Sequence, residues 1–428
     1  MKLYGVGKTA VMIGAGNVGR GFVGPAFTAS GYETVFIDID AELVKEINKR
    51  GEYPLRLFSP DGEAVDMMVR GVRAVESRDM SEASAEIARA SICATAVGVR
   101  AMPDIARLLA MGLAVRARTE GAGPLDTIVC ENMIDAGAKL KGHVMDVLPA
   151  GFGSAVELIS GYPEAVIGRM VPIQTDGMKD GDPLRVCAER YSFLPVDRAA
   201  FKGDIPNIEG MVPLDRFDYY VKRKLFVHNL GHAAIAYLGL LKGYELIADA
   251  AADAEIMFMA AGAMRESAAA LACENSGDAS NLNRHVDNLL YRVASRALGD
   301  TCKRVAADPV RKLGRHDRLV GAIENCREYG LPYAYIAAAA AAAALALEKT
   351  WEGEGAMPSL ADVTGLAEDS EPYKLIMSLG TAYAAAAGES PAYAGMGESP
   401  AYAGMGESPA VAAMLARTVK LAGDVTIL

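Results

Sequence analysis

The sequence predicts an α/β protein: an N-terminal Rossmann-like, doubly wound domain over residues 1–200 and a mainly α-helical C-terminal domain over 201–428. Three observations carry that prediction. Short apolar runs alternate with helical patterns from Thr9 to about Val147, the pattern of a parallel sheet covered by helices. Gly14, Gly16 and Gly19 follow the first of those runs in GxGxxG spacing. From Leu214 onward the patterns become long and helical, with few strand candidates.

In order, "TAVMIG" (Thr9–Gly14) predicts a strand, Gly19–Gly31 a helix, "ETVFIDID" (Glu33–Asp40) a second strand and Ala41–Gly51 a helix. "ASICATAVG" (Ala90–Gly98) predicts another strand, followed by a helix over Pro103–Ala114 and the strand "DTIVCEN" (Asp126–Asn132). The Pro- and Gly-rich stretch Phe193–Pro213 marks a domain boundary near residue 200. Ala337–Ala344 is an unbroken alanine run, expected as a buried helix because alanine favours helix and allows close neighbours. A nonamer, "GESPAYAGM", recurs at Gly388–Met396, Gly397–Met405 and, as "GESPAVAAM", Gly406–Met414. That repeat is too short for a solenoid, and residues 388–414 are expected to form a surface insertion.

Composition excludes several function classes. Hydrophobic residues make up 51% and charged ones 23%, and the formal net charge is -11. No long Lys/Arg block offers a nucleic-acid or anionic-membrane surface. The six cysteines are scattered without CxxC spacing, which points to reduced thiols and no zinc site. The N-terminus runs into a glycine turn rather than a cleavage site, and the apolar run Ile336–Leu347 is shorter than the ~20 residues a bilayer needs. A cytoplasmic protein is expected, a monomer or small homo-oligomer acting on a small molecule, without nucleic-acid or membrane partners.

The glycine turn carries the first chemistry. In "GAGNVG", Gly14 permits the tight turn, Gly16 a close approach of the backbone to a pyrophosphate, and Gly19 the crossing of helix and strand. Ala15, Asn17 and Val18 complete the turn, and the phosphates are expected at the helix N-terminus. Asp38 stands nineteen residues past Gly19, at the end of the second strand. A carboxylate there accepts both hydroxyls of an adenine ribose and repels a 2′-phosphate, so NAD is expected over NADP. Arg20 reads two ways, as a solvated helix residue or as a cation facing an anionic ligand.

The second chemistry lies in "KLFVHNLGH", Lys224–His232. On an α-helix Lys224 and Asn229 stand ~140° apart with His232 between them, so all three can border one cleft. A lysine in a partly dry cleft loses proton affinity and becomes a credible base for an alcohol. An asparagine amide can donate to the oxygen as its charge develops. The plain alternative is a snorkelling lysine, a surface asparagine and a satisfied core histidine; His228 reads as structural.

Lys224, Asn229 and His232 resemble the KxxxxNxxH signature of the polyol-specific long-chain dehydrogenases and reductases. The similarity extends to "GAGNVGRGF" (Gly14–Phe22), "TAVG" (Thr95–Gly98), "CENM" (Cys130–Met133), "DPL" (Asp182–Leu184), "FKGDIPNIEGM" (Phe201–Met211), "RKLFVHNLGHAAIAYLG" (Arg223–Gly239), "PVRKLGRHDRL" (Pro309–Leu319) and "EYGLP" (Glu328–Pro332). It thus spans roughly residues 9–335. The resemblance implies metal-independent hydride transfer, with Lys224 as acid or base, Asn229 and Asn132 holding the reacting oxygen, and His232 on a substrate hydroxyl. It adds Val97 to the cofactor-binding residues. The implied reaction joins mannitol 1-phosphate and fructose 6-phosphate, with Arg20, Lys202, Arg311 and Lys312 as cations for the phosphate. Two departures bear on substrate: "GRMVP" (Gly168–Pro172) stands where the family carries D-R-x-x-P, and "YAYI" follows "EYGLP" where the family carries a histidine. An unphosphorylated polyol or a hexuronate remains the alternative substrate, and a non-catalytic NAD-binding sensor the alternative class.

Overall fold

The computed structural model describes residues 8–275, 279–351, 356–387 and 409–423. The chain forms two compact units, residues 1–59 with 63–220 and residues 60–62 with 221–428.

The first unit is built on a six-stranded sheet. Its strands are β1 (Thr9–Ile13), β2 (Glu33–Asp38), β5 (Val72–Glu76), β6 (Ile92–Thr95), β7 (Leu125–Val129) and β8 (Ser160–Gly161). They lie in the order β5-β2-β1-β6-β7-β8, every neighbouring pair parallel. The direction of winding reverses between β1 and β6, which is where a doubly wound sheet opens its ligand crevice. In β1, Ala10 and Met12 belong to one core and Val11 and Ile13 to another. Both faces are covered by helices, so the strand reads as an unbroken apolar run.

Local punctuation sets the strand ends. Asp40 caps the helix Ala41–Arg50, its carboxylate accepting the Glu42 and Leu43 N–H groups, and Gly51 closes that helix at φ 65°. Strand β2 therefore stops at Asp38, short of the expected Asp40. Gly19–Val23 is a π-turn and Gly24–Ala29 an α-helix, where one continuous helix was expected.

Two smaller sheets escaped the sequence reading. Strands β3 (Glu52–Phe58), β4 (Ala64–Arg70) and β9 (Val186–Glu189) form one, and β10 (Leu194–Asp197) with β11 (Met211–Leu214) the other. Much of β4 is solvent-exposed, so its apolar content gave little signal. The unit break falls after Tyr220 rather than near residue 200. The reason is local: Asp126 in β7 accepts the backbone N–H groups of Lys202 and Gly203, and β10 pairs with β11. These bonds tie 194–214 to the first unit.

The second unit is helical. Leu230–Leu241, Ala254–Asn275, Val320–Glu328, Ala334–Thr350, Glu371–Ala387 and Pro409–Gly423 surround one apolar core. Every residue of Ala337–Ala344 is buried, and that helix packs against Leu230–Leu241, Ala254–Asn275 and Glu371–Ala387. Ala254–Asn275 has the length and composition of a membrane span, with 56% of its most apolar window buried inside the protein; it serves here as a core helix. The nonamer copies up to residue 408 lie outside the described residues. The expected surface insertion does not reach 414, because Ala410, Val411 and Met414 of the third copy are buried in the core.

Glu266 caps the alanine-rich helix from outside it, accepting the Tyr335 and Ile336 N–H groups at 3.2 and 3.0 Å. Burial pushes its carboxyl up to about 7, against the lowering effect of the Ile336, Tyr335 and Ala334 amides. A raised folded pKa means the native state holds the extra proton between the unfolded value near 4.5 and about 7, so stability falls as pH rises through that window. Thermal unfolding between pH 5 and pH 8 is expected to show the loss, about 3 kcal/mol at most, and Glu266→Gln to flatten it. An identical pH profile in the variant would remove Glu266 as the cause.

Candidate active site

The glycine turn is shaped as its sequence requires. Gly14 has φ 101°, and a Cβ on it would come 2.5 Å from the Ala96 carbonyl oxygen. A Cβ on Gly19 would lie 2.0 Å from the Gly14 carbonyl oxygen, whereas one on Gly16 would meet nothing within 4 Å. The two outer glycines are thus demanded by close backbone contacts, and the middle one faces open space, a cradle suited to a pyrophosphate. Asp38 Oδ2 accepts the Ala15 N–H at 2.6 Å and Oδ1 the Asp40 N–H at 3.0 Å, which sets the carboxylate beside the turn. Asn17 donates to the Pro172 carbonyl, and Val18 packs on the core beneath.

Val97 lies across the crevice, its Cγ1 3.1 Å from the position a Gly14 Cβ would take. Its N–H and that of Gly98 donate to the two oxygens of Glu131 at 2.9 and 2.8 Å. The sequence reading passed over Glu131; the residue before the nominated Asn132 was its only signal. Asn132 itself is exposed, just beyond the C-terminal end of β7, where a doubly wound fold receives ligands.

Arg20 is neither of the two things expected of it. The residue is buried, and its guanidinium donates to the Ala15 and Leu184 carbonyls at 2.6 Å each. It ties the glycine turn to the 182–184 loop, which Arg50 also grips through a bidentate pair with Asp182. Arg169 of "GRMVP" likewise serves the fold, donating to Gly21 and Tyr191 carbonyls and stacking on Phe22. A Cβ at Gly168 would come 3.1 Å from the Tyr191 ring, so a side chain there would require that ring to shift by a few tenths of an ångström. Lys202 is exposed, its backbone N–H held by Asp126.

In the second unit Lys224–Asn229 is a π-helical turn between Phe217–Arg223 and Leu230–Leu241. The geometry changes the wheel argument. In a turn closed by i→i+5 hydrogen bonds, residues five apart stack along one face, so Lys224 and Asn229 align rather than diverge. Both are half-buried. His228 rides the same turn with its ring 6.4 Å from that of His232. Desolvation, then the charges of Arg292, His232, Lys224 and His285, hold His228 well below the ordinary histidine range.

His232 faces a carboxylate that the sequence did not announce. Its Nε2 lies 3.5 Å from Asp300 Oδ2, long for a hydrogen bond but within ion-pair reach. Asp300 is gripped in turn by Arg304. Burial alone would raise the Asp300 carboxyl; His232 and Arg304 beside it outweigh that and hold it at about 2. His232 Nε2 makes no hydrogen bond among the described residues, so Asp300 acts on the ring through proximity and charge.

The cations nominated for a phosphate fare poorly here. Lys312 is buried, with its ammonium donating to the Val305 and Ala307 carbonyls behind the helix Cys302–Ala306. Burial, then Arg318 and Arg311, lower it to about 8. Arg311 is held between Asp308 and Asp317. Arg20 and Lys312 are thus committed to backbone carbonyls within the fold, while Arg311 is half exposed in its ion pairs. Among the described residues no three His, Cys, Asp or Glu side chains gather as a metal site.

Comparison with known proteins completes the picture. Residues 8–210 match the family model for the mannitol dehydrogenase Rossmann domain, and 216–419 that for the mannitol dehydrogenase C-terminal domain. A protein from Brevibacillus brevis named mannitol-1-phosphate 5-dehydrogenase is 39% identical over 330 residues, covering 77% of this chain and 84% of that one. Among solved structures, a D-sorbitol dehydrogenase in substrate-free form aligns with a TM-score of 0.73 at 14% identity, covering 88% of this chain and 93% of that one. Mannitol 2-dehydrogenase of Pseudomonas fluorescens, in a ternary complex with NAD and D-mannitol, aligns at 0.62 and 15% identity, covering 98% and 92%. With both family models matched in order along most of its length, the chain belongs to the mannitol dehydrogenase family.

Proposed function

We propose that this protein is an NAD-dependent, metal-independent dehydrogenase interconverting mannitol 1-phosphate and fructose 6-phosphate. The observation that carries the chemistry is the π-turn aligning Lys224 with Asn229. The substrate reading draws on the 39% identical relative named for that reaction. Gly14–Gly19 would hold the pyrophosphate of NAD and Asp38 its adenosine ribose, and NAD so bound would supply the hydride acceptor.

In oxidation Lys224 Nζ takes the hydroxyl proton from the carbinol while the hydride leaves the same carbon. Asn229 donates its N–H groups to the oxygen as it becomes a carbonyl, the role that the family resemblance also implies for Asn132. His232, beside Asp300, holds a neighbouring hydroxyl. In reduction the same lysine returns the proton. These side chains act by position and proton affinity; each contributes more to the transition state than to bound alcohol, because the oxygen's charge develops there.

One observation favours a second reading. Arg20, Arg311 and Lys312 are engaged within the fold, and Gly168 replaces the family aspartate. An unphosphorylated polyol would need none of those cations, and a hexuronate only a single cation for its carboxylate. Turnover of mannitol 1-phosphate and mannitol with NAD and NADP, and of fructuronate with NADH and NADPH, followed by reduced-nicotinamide absorbance before and after exhaustive chelation, separates the readings. The phosphate substrate with NAD is expected to dominate by at least tenfold, undiminished by chelation. Activity confined to mannitol or fructuronate would overturn the substrate, and loss on chelation the metal-independent mechanism. A soluble enzyme acting in the cytoplasm is part of the same proposal.

A further inference from the structure

Most strongly buried acids in the first unit have a basic partner or a plain structural duty. Glu86, for instance, is paired with Arg73 and Arg89. Glu131 differs. It is 7% exposed, and its two oxygens are met by two neutral donors, the backbone N–H groups of Val97 and Gly98. Among the described residues no basic side chain forms an ion pair with it. A buried carboxylate met by amides alone has no neighbouring cation to offset its charge, in a region of weak screening.

Its place in the sheet gives that charge a target. Asp38, at the end of β2, marks the half of the doubly wound sheet that takes an adenosine. Glu131 follows the end of β7, in the opposite half, across the β1–β6 reversal. It also braces the turn whose Val97 lies against Gly14. The opposite half is the one that receives the nicotinamide, the part of the cofactor that is a cation when oxidised and neutral when reduced.

We propose that Glu131 is a positioning residue that also biases the bound couple, its negative charge favouring the oxidised, positively charged nicotinamide over the reduced one. The inference rests on the NAD reading above. A unit charge acting across about 10 Å of protein with an effective dielectric near 20 changes a ratio of dissociation constants by on the order of tenfold.

The test measures NADH and NAD+ dissociation constants, by NADH fluorescence and by competition, in the full-length protein. Glu131→Gln removes the charge at constant size and is expected to raise the ratio Kd(NAD+)/Kd(NADH) about tenfold. Glu131→Asp keeps the charge, so the ratio should stay within about twofold of wild type even where both constants rise. Asn132→Asp adds a charge one residue along, at an exposed position, and should lower the ratio. It also gives a reading should Glu131→Gln not fold. Equal weakening of both nucleotides by Glu131→Gln, or an unmoved ratio in Asn132→Asp, would show a plain structural clamp and overturn the inference. Wild-type protein that binds neither nucleotide would instead overturn the cofactor assignment on which it rests.

Discussion

Alanine in place of Lys224 is expected to lower kcat by roughly two to four orders of magnitude, the usual worth of a general acid or base. NADH binding should hold within about twofold, because the proposal puts the nucleotide on the glycine turn and Asp38, which belong to the other unit. No neighbour can assume the role. His228, next along the π-turn, is held well below the ordinary histidine range by desolvation and by the surrounding basic groups, so it is a poor proton acceptor at neutral pH. His232 already faces Asp300. A small amine such as methylamine, filling the space the side chain vacates, should restore part of the lost rate, as a simple defect of folding would not allow. Turnover within tenfold of wild type in Lys224→Ala would remove the lysine from the chemistry.

How much of this was legible beforehand follows from the range of the interactions involved. The glycine turn and Asp38 are read from sequence because each role is fixed by local geometry: a positive φ at Gly14, a close backbone contact at Gly19, a strand end at Asp38. Strand β1 was equally accessible, since both its faces are covered and it reads as one apolar run. The π-turn was not. A wheel assumes one residue spacing, and nothing in "KLFVHN" signals the wider turn that aligns Lys224 with Asn229. Charged residues were misjudged for a different reason. Arg20 and Lys312 find their partners in carbonyls of Leu184 and Val305, and backbone acceptors have no sequence signature. Glu131 and Asp300 were missed because their duty is toward other groups, two amides in one case and His232 in the other. Side chains that touch substrate repeat in motifs; those that hold them in place are visible once the chain is folded.

The largest expected effect on stability lies in the second unit, at Lys242. Its side chain is 3% exposed, and its ammonium donates to Asp253 Oδ2 at 2.7 Å and Glu255 Oε2 at 2.6 Å. The Tyr244 hydroxyl also donates to Asp253, whose other oxygen accepts the Glu255 and Ile256 N–H groups that open the helix Ala254–Asn275. Burial would lower the lysine, but the bonds to Asp253 and Glu255 outweigh it and raise it instead; Asp253 is correspondingly lowered against its own burial. Methionine at 242 keeps the aliphatic stem and leaves two carboxylates facing one another without a cation. Breaking a buried pair from one side costs about 3–5 kcal/mol, and the lower end applies because Glu255 is 36% exposed. Denaturant unfolding at pH 7 is expected to show a loss of about 3 kcal/mol. Because a depressed carboxyl contributes stability above its unfolded pKa and loses it on acidification, the gap between variant and wild type should narrow as pH falls below 4. The exposed pair Lys141–Glu157, with side chains 42% and 57% exposed, supplies the control: Lys141→Met should change stability by less than about 1 kcal/mol. Equal losses from the two substitutions would mean that the buried triad has no special weight, and that its charges are solvated far better than their burial implies.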